Sequence, residues 1–576
     1  MPSTSQAVAP RGELSNAPPA SGDSHATLAP KPPVFARLTP HNAAAYKAFR
    51  AVVDAMKRDP AQLAHHRRFL HYDEPGIPLS SLLAPHHSAS PEVSGGSDVA
   101  SSVASSDQHT QEPPEDDLVF NGHYLLSLDI SPAEPTLGWV IGTGRRRGSN
   151  VMGGVDILLN SQPPFEGVRS RHAALTFHKD SGILAVESCH RDASVTLDMV
   201  QFTRSEGMRG LTRPVSFIQF GDLLYRFAYT DWAANEELIF QKRKESYFAV
   251  SLSTPAPIQS TSATPSLNAM VIGNWNLHRT VGGGAFGIVN AASRLGGKLQ
   301  VVAFKAMVRS DYFSDRNVDA EFLAALNLKK ATENHEYKMF IIRMKEAIYE
   351  RGSSVFDYSG PERVYFIYSP LARGTFGSHI LNDLAITPME TRILLLADII
   401  KGLTCLHDVQ WIHRDIKPDN LAVVTMSPPR AVILDIGQAC FSGLDPKMPL
   451  GMTRGIQSTP GKIGTPLYSP PEMAWELSRY GPAADIYSLG LVAYQLFVGP
   501  YQINPWLGKA QSAVGDEYNR WEVMCTSLRT KGSSRIEHLI SEMLAFDMDK
   551  RCSARQALGH PSLKQNIEPD HKRAKT

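Results

Sequence analysis

Two kinds of hydrophobic period divide the chain. Ala45, Phe49, Val52, Val53 and Met56 recur at close to helical spacing, so 41–57 is expected to form an amphipathic helix. Pro60 separates it from a second helical stretch at 61–70. From Asp117 to Asp231 the period shortens. Leu125–Leu128, Gly138–Ile141, Val155–Leu159, Ala173–Phe177, Ile183–Val186 and Leu223–Phe227 are short apolar runs parted by turn residues, the pattern of a β-sandwich. After residue 272 strands and helices mix. Trp275–Val281, Ile288–Ser293, Val302–Lys305, Val364–Tyr368 and Val432–Asp435 read as strands. Ser314–Lys330 reads as a helix with Ser314 as N-cap and Val318, Phe322, Ala325 and Leu326 on its apolar face. Thr391–Leu406 is apolar on nearly every side, as a helix buried all round must be. Asp398 and Lys401 interrupt that run and argue against a membrane span.

Other stretches have no period. Residues 1–38 are rich in Pro, Ser and Ala, 84–116 in Ser, Pro, Gly and acidic residues, and Ser251–Leu267 in Ser, Thr and Pro. With 576 residues the chain exceeds one core, so two or three domains are expected. The expected division is 1–38 disordered, 39–75 a short helical segment, 76–116 a disordered linker and 117–232 the sandwich. A linker at 233–272, a second domain at 273–564 and a basic tail at 565–576 complete it. The 58 basic and 57 acidic residues leave a net charge of +1, so nucleic acid and membrane are not expected partners. Cys189, Cys405, Cys440, Cys525 and Cys552 are scattered without paired or zinc spacing. Reduced thiols, and hence an intracellular protein of cytoplasm and/or nucleus, are expected. The amino terminus has no basic-then-apolar signal pattern.

The chemistry gathers at Trp411–Asn420, W-I-H-R-D-I-K-P-D-N. Asp415, Lys417 and Asn420 put an acid, a cation and an amide in one short loop. Phosphoryl transfer needs that set: a carboxylate for the attacking hydroxyl's proton, a positive charge for the migrating group and an oxygen for a metal. Upstream, Val281, Gly282, Gly283, Gly284, Ala285, Phe286 and Gly287 form a glycine-rich turn, with Val289 two residues on. Such a turn lets backbone approach phosphates, and Phe286 at its tip would exclude water. Strand alternation then sets Ala303 and Lys305 on one face, a small roof beside a cation. Glu321 borders the apolar face of the following helix and can turn inward to Lys305. D-I-G at Asp435–Gly437 follows an apolar strand.

These motifs, spread over residues 274–560, resemble a eukaryotic-type serine/threonine protein kinase. The resemblance implies an α+β two-lobed fold, with a small β-rich lobe and a large helical lobe. It implies ATP and Mg²⁺ as cofactors and protein substrates as partners. Asp415 would be the base, Lys417 and Lys305 the phosphate-facing cations, Glu321 the partner of Lys305, and Asn420 and Asp435 the metal ligands. Ser369 and Leu371 would read adenine through their backbone, behind a bulky gatekeeper at Tyr368. Residues 435–472 would be an activation segment, with Thr453, Ser458 and Thr459 as phosphorylation candidates and Thr465 touching Asp415 and Lys417. Arg414 would stay unbalanced until that phosphate arrives. Glu472 would pair with Arg551, and Asp485 would brace the loop backbone. Thr375 stands where many kinases carry an acid, so a basic-directed substrate preference does not follow. A pseudokinase scaffold would lack Lys305, Asp415, Asn420 or Asp435, and all four are present.

The sandwich segment resembles a forkhead-associated (FHA) domain through W-V-I-G at Trp139–Gly142, D-I-L-L at Asp156–Leu159, R-S-R-H-A at Arg169–Ala173 and F-G-D-L-L-Y-R-F at Phe220–Phe227. Such domains read phosphothreonine peptides, so a phosphoprotein partner is implied. Thr143 replaces the arginine that normally follows the first glycine, and Arg169 replaces a serine. Two readings stand: Arg145, Arg146, Arg147, Arg169 and Ser170 contact a phosphopeptide, or they form a solvated basic loop on a structural module. A phosphopeptide adaptor without catalysis is the remaining alternative for the whole chain.

Overall fold

Val34–Pro40 alternates apolar and polar residues and becomes a strand. It pairs antiparallel with Leu223–Tyr229 on one side and Gly122–Ser127 on the other. It is therefore central in a seven-stranded sheet, ordered Val200–Phe202, Val195–Leu197, Val215–Phe220, Leu223–Tyr229, Val34–Pro40, Gly122–Ser127, Leu70–Tyr72. A five-stranded sheet faces it, ordered Arg209–Gly210, Leu184–Ser188, Ala173–Phe177, Trp139–Gly142, Ile157–Leu158. Inward side chains of both sheets, including Phe35, Trp139, Leu175, Val186, Phe220 and Phe227, share one core. The computed structural model describes residues 34–83, 118–144, 154–179, 181–232, 234–252, 270–284, 287–310, 312–352, 360–442, 464–474, 481–500, 504–506, 515–532 and 535–564.

Three expected boundaries are corrected by this packing. Disorder through residue 38 does not hold for 34–38, where Phe35, Ala36 and Leu38 are fully buried. The 39–75 segment is not a separate helical piece. Its helix, Ala43–Arg58, is capped by Asn42, whose side chain accepts from the Ala45 N–H at 2.9 Å. The helix puts Ala45, Ala48, Phe49 and Val53 into the sandwich core, and Leu70–Tyr72 adds the sheet's edge strand. Finally, 233–272 is not all linker. Ala234–Ser251 is a helix, and Phe240, Tyr247 and Phe248 join the same core, with Tyr247 stacked 6.0 Å from Trp139. The expected linker at 76–116 opens with Ile77–Pro78, which pairs with Leu118–Val119, and the short helix Leu79–Leu83.

The second unit begins with a six-stranded antiparallel sheet, ordered Val271–Ile272, Trp275–Gly284, Gly287–Arg294, Val301–Arg309, Glu362–Ser369, Arg343–Tyr349. Its outer face carries Trp275, Ala292, Val302, Phe304, Tyr365 and Ile367. Its inner face, with Met307, Val364, Phe366 and Tyr368, packs on the helix Tyr312–Ala331 through Val318, Ala325 and Leu328. That helix starts two residues before Ser314, so Ser314 sits inside its first turn and not at the cap. A helical part follows. Met389–Asp408 lies at its centre, with every residue from Leu395 to Leu406 buried. Its two buried charges are mutually satisfied: Lys401 Nζ lies 3.4 Å from Asp398 Oδ1, and Asp398 Oδ2 accepts from the Ala431 N–H at 3.2 Å. No described helix is long and apolar enough to cross a membrane.

Candidate active site

Strand pairing fixes Lys305. It lies opposite Val289 on one neighbour and Phe366 on the other. Because Val302 and Phe304 go to the outer cluster, Ala303 and Lys305 face inward, and Ala303 packs against the large core. Lys305 Nζ donates to Glu321 Oε2 at 2.9 Å and to Asp435 Oδ1 at 3.1 Å. A strand, a helix and a turn thus meet at one ammonium. Asp435 holds a left-handed conformation, φ 48°, and Gly437 follows where a Cβ would come within 2.3 Å of Glu321 Oε2. Only glycine lets the turn approach that carboxylate so closely.

The charges sustain one another. Burial pushes Lys305 down, but Glu321 and then Asp435 more than offset it, so its pKa lies above the ordinary lysine value. Burial likewise raises Asp435, yet the Lys305 charge and hydrogen bond hold it below the ordinary aspartate value. Both groups are therefore ionised at neutral pH.

The second half of the site is the loop after the central helix. Trp411–Ile412 pairs with Cys440–Phe441, and Asp485, buried on the helix Pro482–Phe497, accepts from the His413 and Arg414 N–H groups at 2.8 Å each. Burial raises Asp485, and its hydrogen bond with His407 outweighs that, so it stays ionised. On this frame Asp415 Oδ2 lies 2.8 Å from Lys417 Nζ and takes a 2.9 Å hydrogen bond from Asn420 Nδ2. Thr465 Oγ1 donates to Asp415 Oδ1 and accepts from Lys417 Nζ, both at 2.7 Å. The Asn420 carbonyl accepts from the Leu434 N–H at 2.8 Å, which brings Asn420 next to Asp435 and joins the two halves.

Above this cleft Gly282 lies opposite Val289 and Gly284 opposite Gly287. A Cβ added at Gly282 would meet no protein atom within 4 Å, so internal packing does not require that glycine. Val281 and Gly283 are exposed beside it. Ser369 ends the strand Glu362–Ser369, and Ser369 and Leu371 are half-buried around Pro370. Away from the cleft, Glu472 and Arg551 form a two-pronged ion pair at 2.6 and 2.8 Å.

Lys305, Glu321, Asp415, Lys417, Asn420, Asp435 and Thr465 thus come together. Ala285, Phe286, Thr453, Ser458, Thr459, Arg145, Arg146 and Arg147 lie outside the described residues. Arg169 and Ser170 are exposed in the sandwich, where their carbonyls accept from the buried Thr143 and from Gly144. Arg414 is positioned by the turn after Asp435: its Nε donates to the Gln438 carbonyl, a neutral acceptor, at 2.6 Å. The sequence reading missed the hydroxyl of Tyr368, which donates to Glu321 Oε1. It also missed His413, fully buried with Nε2 2.8 Å from the Leu434 carbonyl. A histidine two residues before the acid was visible, but its partner across the fold was not.

Residues 275–563 match the family model described as protein kinase domain. A probable myosin light chain kinase of Dictyostelium discoideum is 23% identical over 303 residues, covering 52% of this chain and 85% of the relative. The serine/threonine-protein kinase atg1 of the same organism is 27% identical over 306 residues, 52% of this chain and 41% of its own length. The maternal embryonic leucine zipper kinase of Xenopus tropicalis is 26% identical over 298 residues, 50% of this chain and 39% of its own. For the last two, this chain spans less than half of the relative's length.

Proposed function

The chain belongs to the protein kinase family, and from that premise we propose that it transfers the γ-phosphoryl group of ATP to serine and threonine hydroxyls of protein substrates. The convergence of Lys305, Glu321, Asp435, Asp415, Lys417 and Asn420 on one cleft carries this reading.

Each residue has a task that its surroundings suit. Lys305, kept charged by two carboxylates, binds the α- and β-phosphates. The open space at Gly282 lets the backbone close over the triphosphate. Asp415 orients the substrate hydroxyl and takes its proton as the oxygen attacks phosphorus and the bond to ADP breaks. Lys417, 2.8 Å from Asp415, offsets charge on the migrating group. Thr465 ties both residues to the segment where a protein substrate would lie.

The donor set fits a hard divalent ion. Asn420 spends its Nδ2 on the Asp415 carbonyl and carboxylate, which leaves its amide oxygen for a metal, and Asp435 is held ionised. Asn420 and Asp435 would hold Mg²⁺, which would supply positive charge to offset the phosphates. Phosphorylation at Thr453, Ser458 or Thr459 is the regulation this reading includes, and activity after phosphatase treatment of a triple alanine variant checks it. The sandwich serves in the same reading as an FHA-like module for a phosphoprotein partner, tested by binding of phosphothreonine peptides to wild type and Arg169→Ala. An intracellular location, cytoplasm and/or nucleus, agrees with the five free cysteines.

A peptide-array phosphorylation assay with the full chain and Asp415→Asn tests turnover and substrate class together. The expected loss is about 100-fold or more, the usual contribution of a positioned base. Equal turnover by both proteins, or phosphate found on tyrosine, would overturn the reading.

A further inference from the structure

The strand Trp275–Gly284, which carries the glycine-rich turn, is only partly held by its own sheet. Along one edge Val271–Ile272 pairs with Asn276 and Trp275, and the Leu277 N–H donates to the Met270 carbonyl at 2.9 Å. Beyond Leu277 no described strand pairs with that edge. Along the other edge the ladder to Gly287–Arg294 shifts register between Leu277 and Thr280, and again between Thr280 and Gly282. Asn290 Nδ2 patches the break by donating to the His278 carbonyl and to Thr280 Oγ1, both at 3.2 Å. A bulged segment at a sheet edge has few ladder bonds to fix it, so contacts from outside the sheet decide how firmly it is placed.

The sandwich supplies such contacts. Asn276 is buried, and its Nδ2 donates to the carbonyl of the buried Thr212 at 3.0 Å. Thr212 follows Leu211, a member of the sandwich core. Arg279, just before the glycines, pairs through Nη2 with Glu237 Oε1 at 3.1 Å. Glu237 stands on the helix Ala234–Ser251, which Phe240 and Phe248 anchor in that same core. The helix also brings Lys244 close to the strand: burial, and then the Lys244 charge, push His278 down to about 4. A further contact reaches the turn between Gly287–Arg294 and Val301–Arg309. There the Leu299 N–H donates to the Met208 carbonyl at 3.2 Å, and a Cβ at Gly210 would come within 2.6 Å of Leu299 Cδ1.

We propose that the sandwich positions the nucleotide-binding turn, bracing the strand Trp275–Gly284 through Glu237 on Arg279 and the Thr212 carbonyl on Asn276. The inference rests on the reading of the glycine-rich turn as the cover of the ATP phosphates. Asn276 and Arg279 are positioning residues: they act through the strand, by limiting the places Gly282–Gly284 can occupy. A strand released at Arg279 must be ordered again when ATP binds, and that ordering is subtracted from affinity. The brace acts alike before and during transfer, so its loss appears in KM for ATP and leaves kcat in place.

The test is a charge swap in the full-length chain, read by KM for ATP and kcat in peptide phosphorylation and by direct titration with ATP and Mg²⁺. Arg279 and Glu237 retain 45% and 32% of their side-chain exposure, so the pair is half-screened and its effect is modest. Glu237→Arg and Arg279→Glu should each weaken ATP binding about threefold, with kcat within about twofold of wild type. The double variant should regain wild-type affinity. Asn276→Ala leaves the buried Thr212 carbonyl without its donor and should weaken ATP binding about tenfold. The swap variants change partly exposed side chains, so they keep the test decisive if Asn276→Ala fails to fold. The two single variants add charge of opposite sign, so a general field acting on ATP would move their affinities in opposite directions. That result, wild-type affinity in both singles, a double variant no tighter than the singles, or no ATP binding by wild type would overturn the proposal. The titration does not depend on turnover: the expected affinity pattern in a chain that phosphorylates no peptide would support the brace while refuting phosphoryl transfer.

Discussion

The hydroxyl of Tyr368 donates a 2.5 Å hydrogen bond to Glu321 Oε1, while Glu321 Oε2 accepts from Lys305. Tyr368 stands on the strand Glu362–Ser369 and Glu321 on the helix Tyr312–Ala331, so this bond locks helix to sheet at the point where Lys305 needs its partner. Burial and the Glu321 charge push the tyrosine pKa well above its ordinary value, which keeps the hydroxyl a donor. Tyr368→Phe preserves the ring and removes the bond. A hydrogen bond to a charged group contributes about 1.5–3 kcal/mol, so kcat/KM for ATP should fall about tenfold or more. Steady-state kinetics at varied ATP would measure it, and wild-type values would show that Lys305 and packing hold Glu321 without this bond.

Gly437→Ala probes the same cluster from the turn. Its new methyl group would sit 2.3 Å from Glu321 Oε2, well inside contact distance. Either Glu321 leaves Lys305 or the turn carrying Asp435 moves, and both disrupt the cation's surroundings. Peptide phosphorylation should fall at least about tenfold, since displacements near 1 Å at a reacting site cost that much or more. Circular dichroism should stay as in wild type. Full activity in this variant would mean that the Lys305 contacts do not matter to turnover.

Glu472 and Arg551 are a stability element and not part of the reacting site. Both are buried, the pair is two-pronged, and Arg551 also donates to the Ala545, Ala483 and Phe546 carbonyls and lies over the Tyr487 ring. Glu472→Ala leaves a buried guanidinium without its carboxylate, a change that typically costs about 3–5 kcal/mol. Arg551→Lys should fail to rescue, because an ammonium cannot make the fork. Denaturant unfolding followed by tryptophan fluorescence is the measurement. A loss under about 1 kcal/mol would place this pair with exposed surface pairs.

What could be read in advance divides by sequence distance. Asp415, Lys417 and Asn420 lie in one short loop, so local spacing carried their geometry. Lys305 was legible because strand alternation decides which way it faces. Val34–Pro40 was not, because its partner Leu223–Tyr229 lies across most of the amino-terminal half, and nearby prolines obscured the alternation. The helix Ala234–Ser251 was missed for a related reason: it has no clear apolar stripe, and its place is set by Phe240, Tyr247 and Phe248 meeting a core built elsewhere. Tyr368 was named as a bulky residue near adenine, but its hydroxyl contact joins two elements that only tertiary packing brings together.

Lys244, on the helix Ala234–Ser251, gives a prediction for pH. It is buried with its ammonium 5.1 Å from the Phe177 ring centroid, and burial lowers its pKa to about 7. The unfolded chain keeps the ordinary value of 10.5. Between those limits the unfolded state holds one more proton at this residue than the folded state does. Linkage then makes this residue's contribution rise with pH from about 7 toward 10.5. Below the lower limit both states carry the proton, and the full cost of burying the charge is present. Lys244→Met retains the buried stem and has no proton to lose. The variant should therefore be more stable than wild type at pH 6, and its advantage should shrink steadily up to pH 10. Unfolding curves for both proteins across that range would measure the difference, and a gap that stays constant with pH would show that Lys244 remains charged in the folded protein.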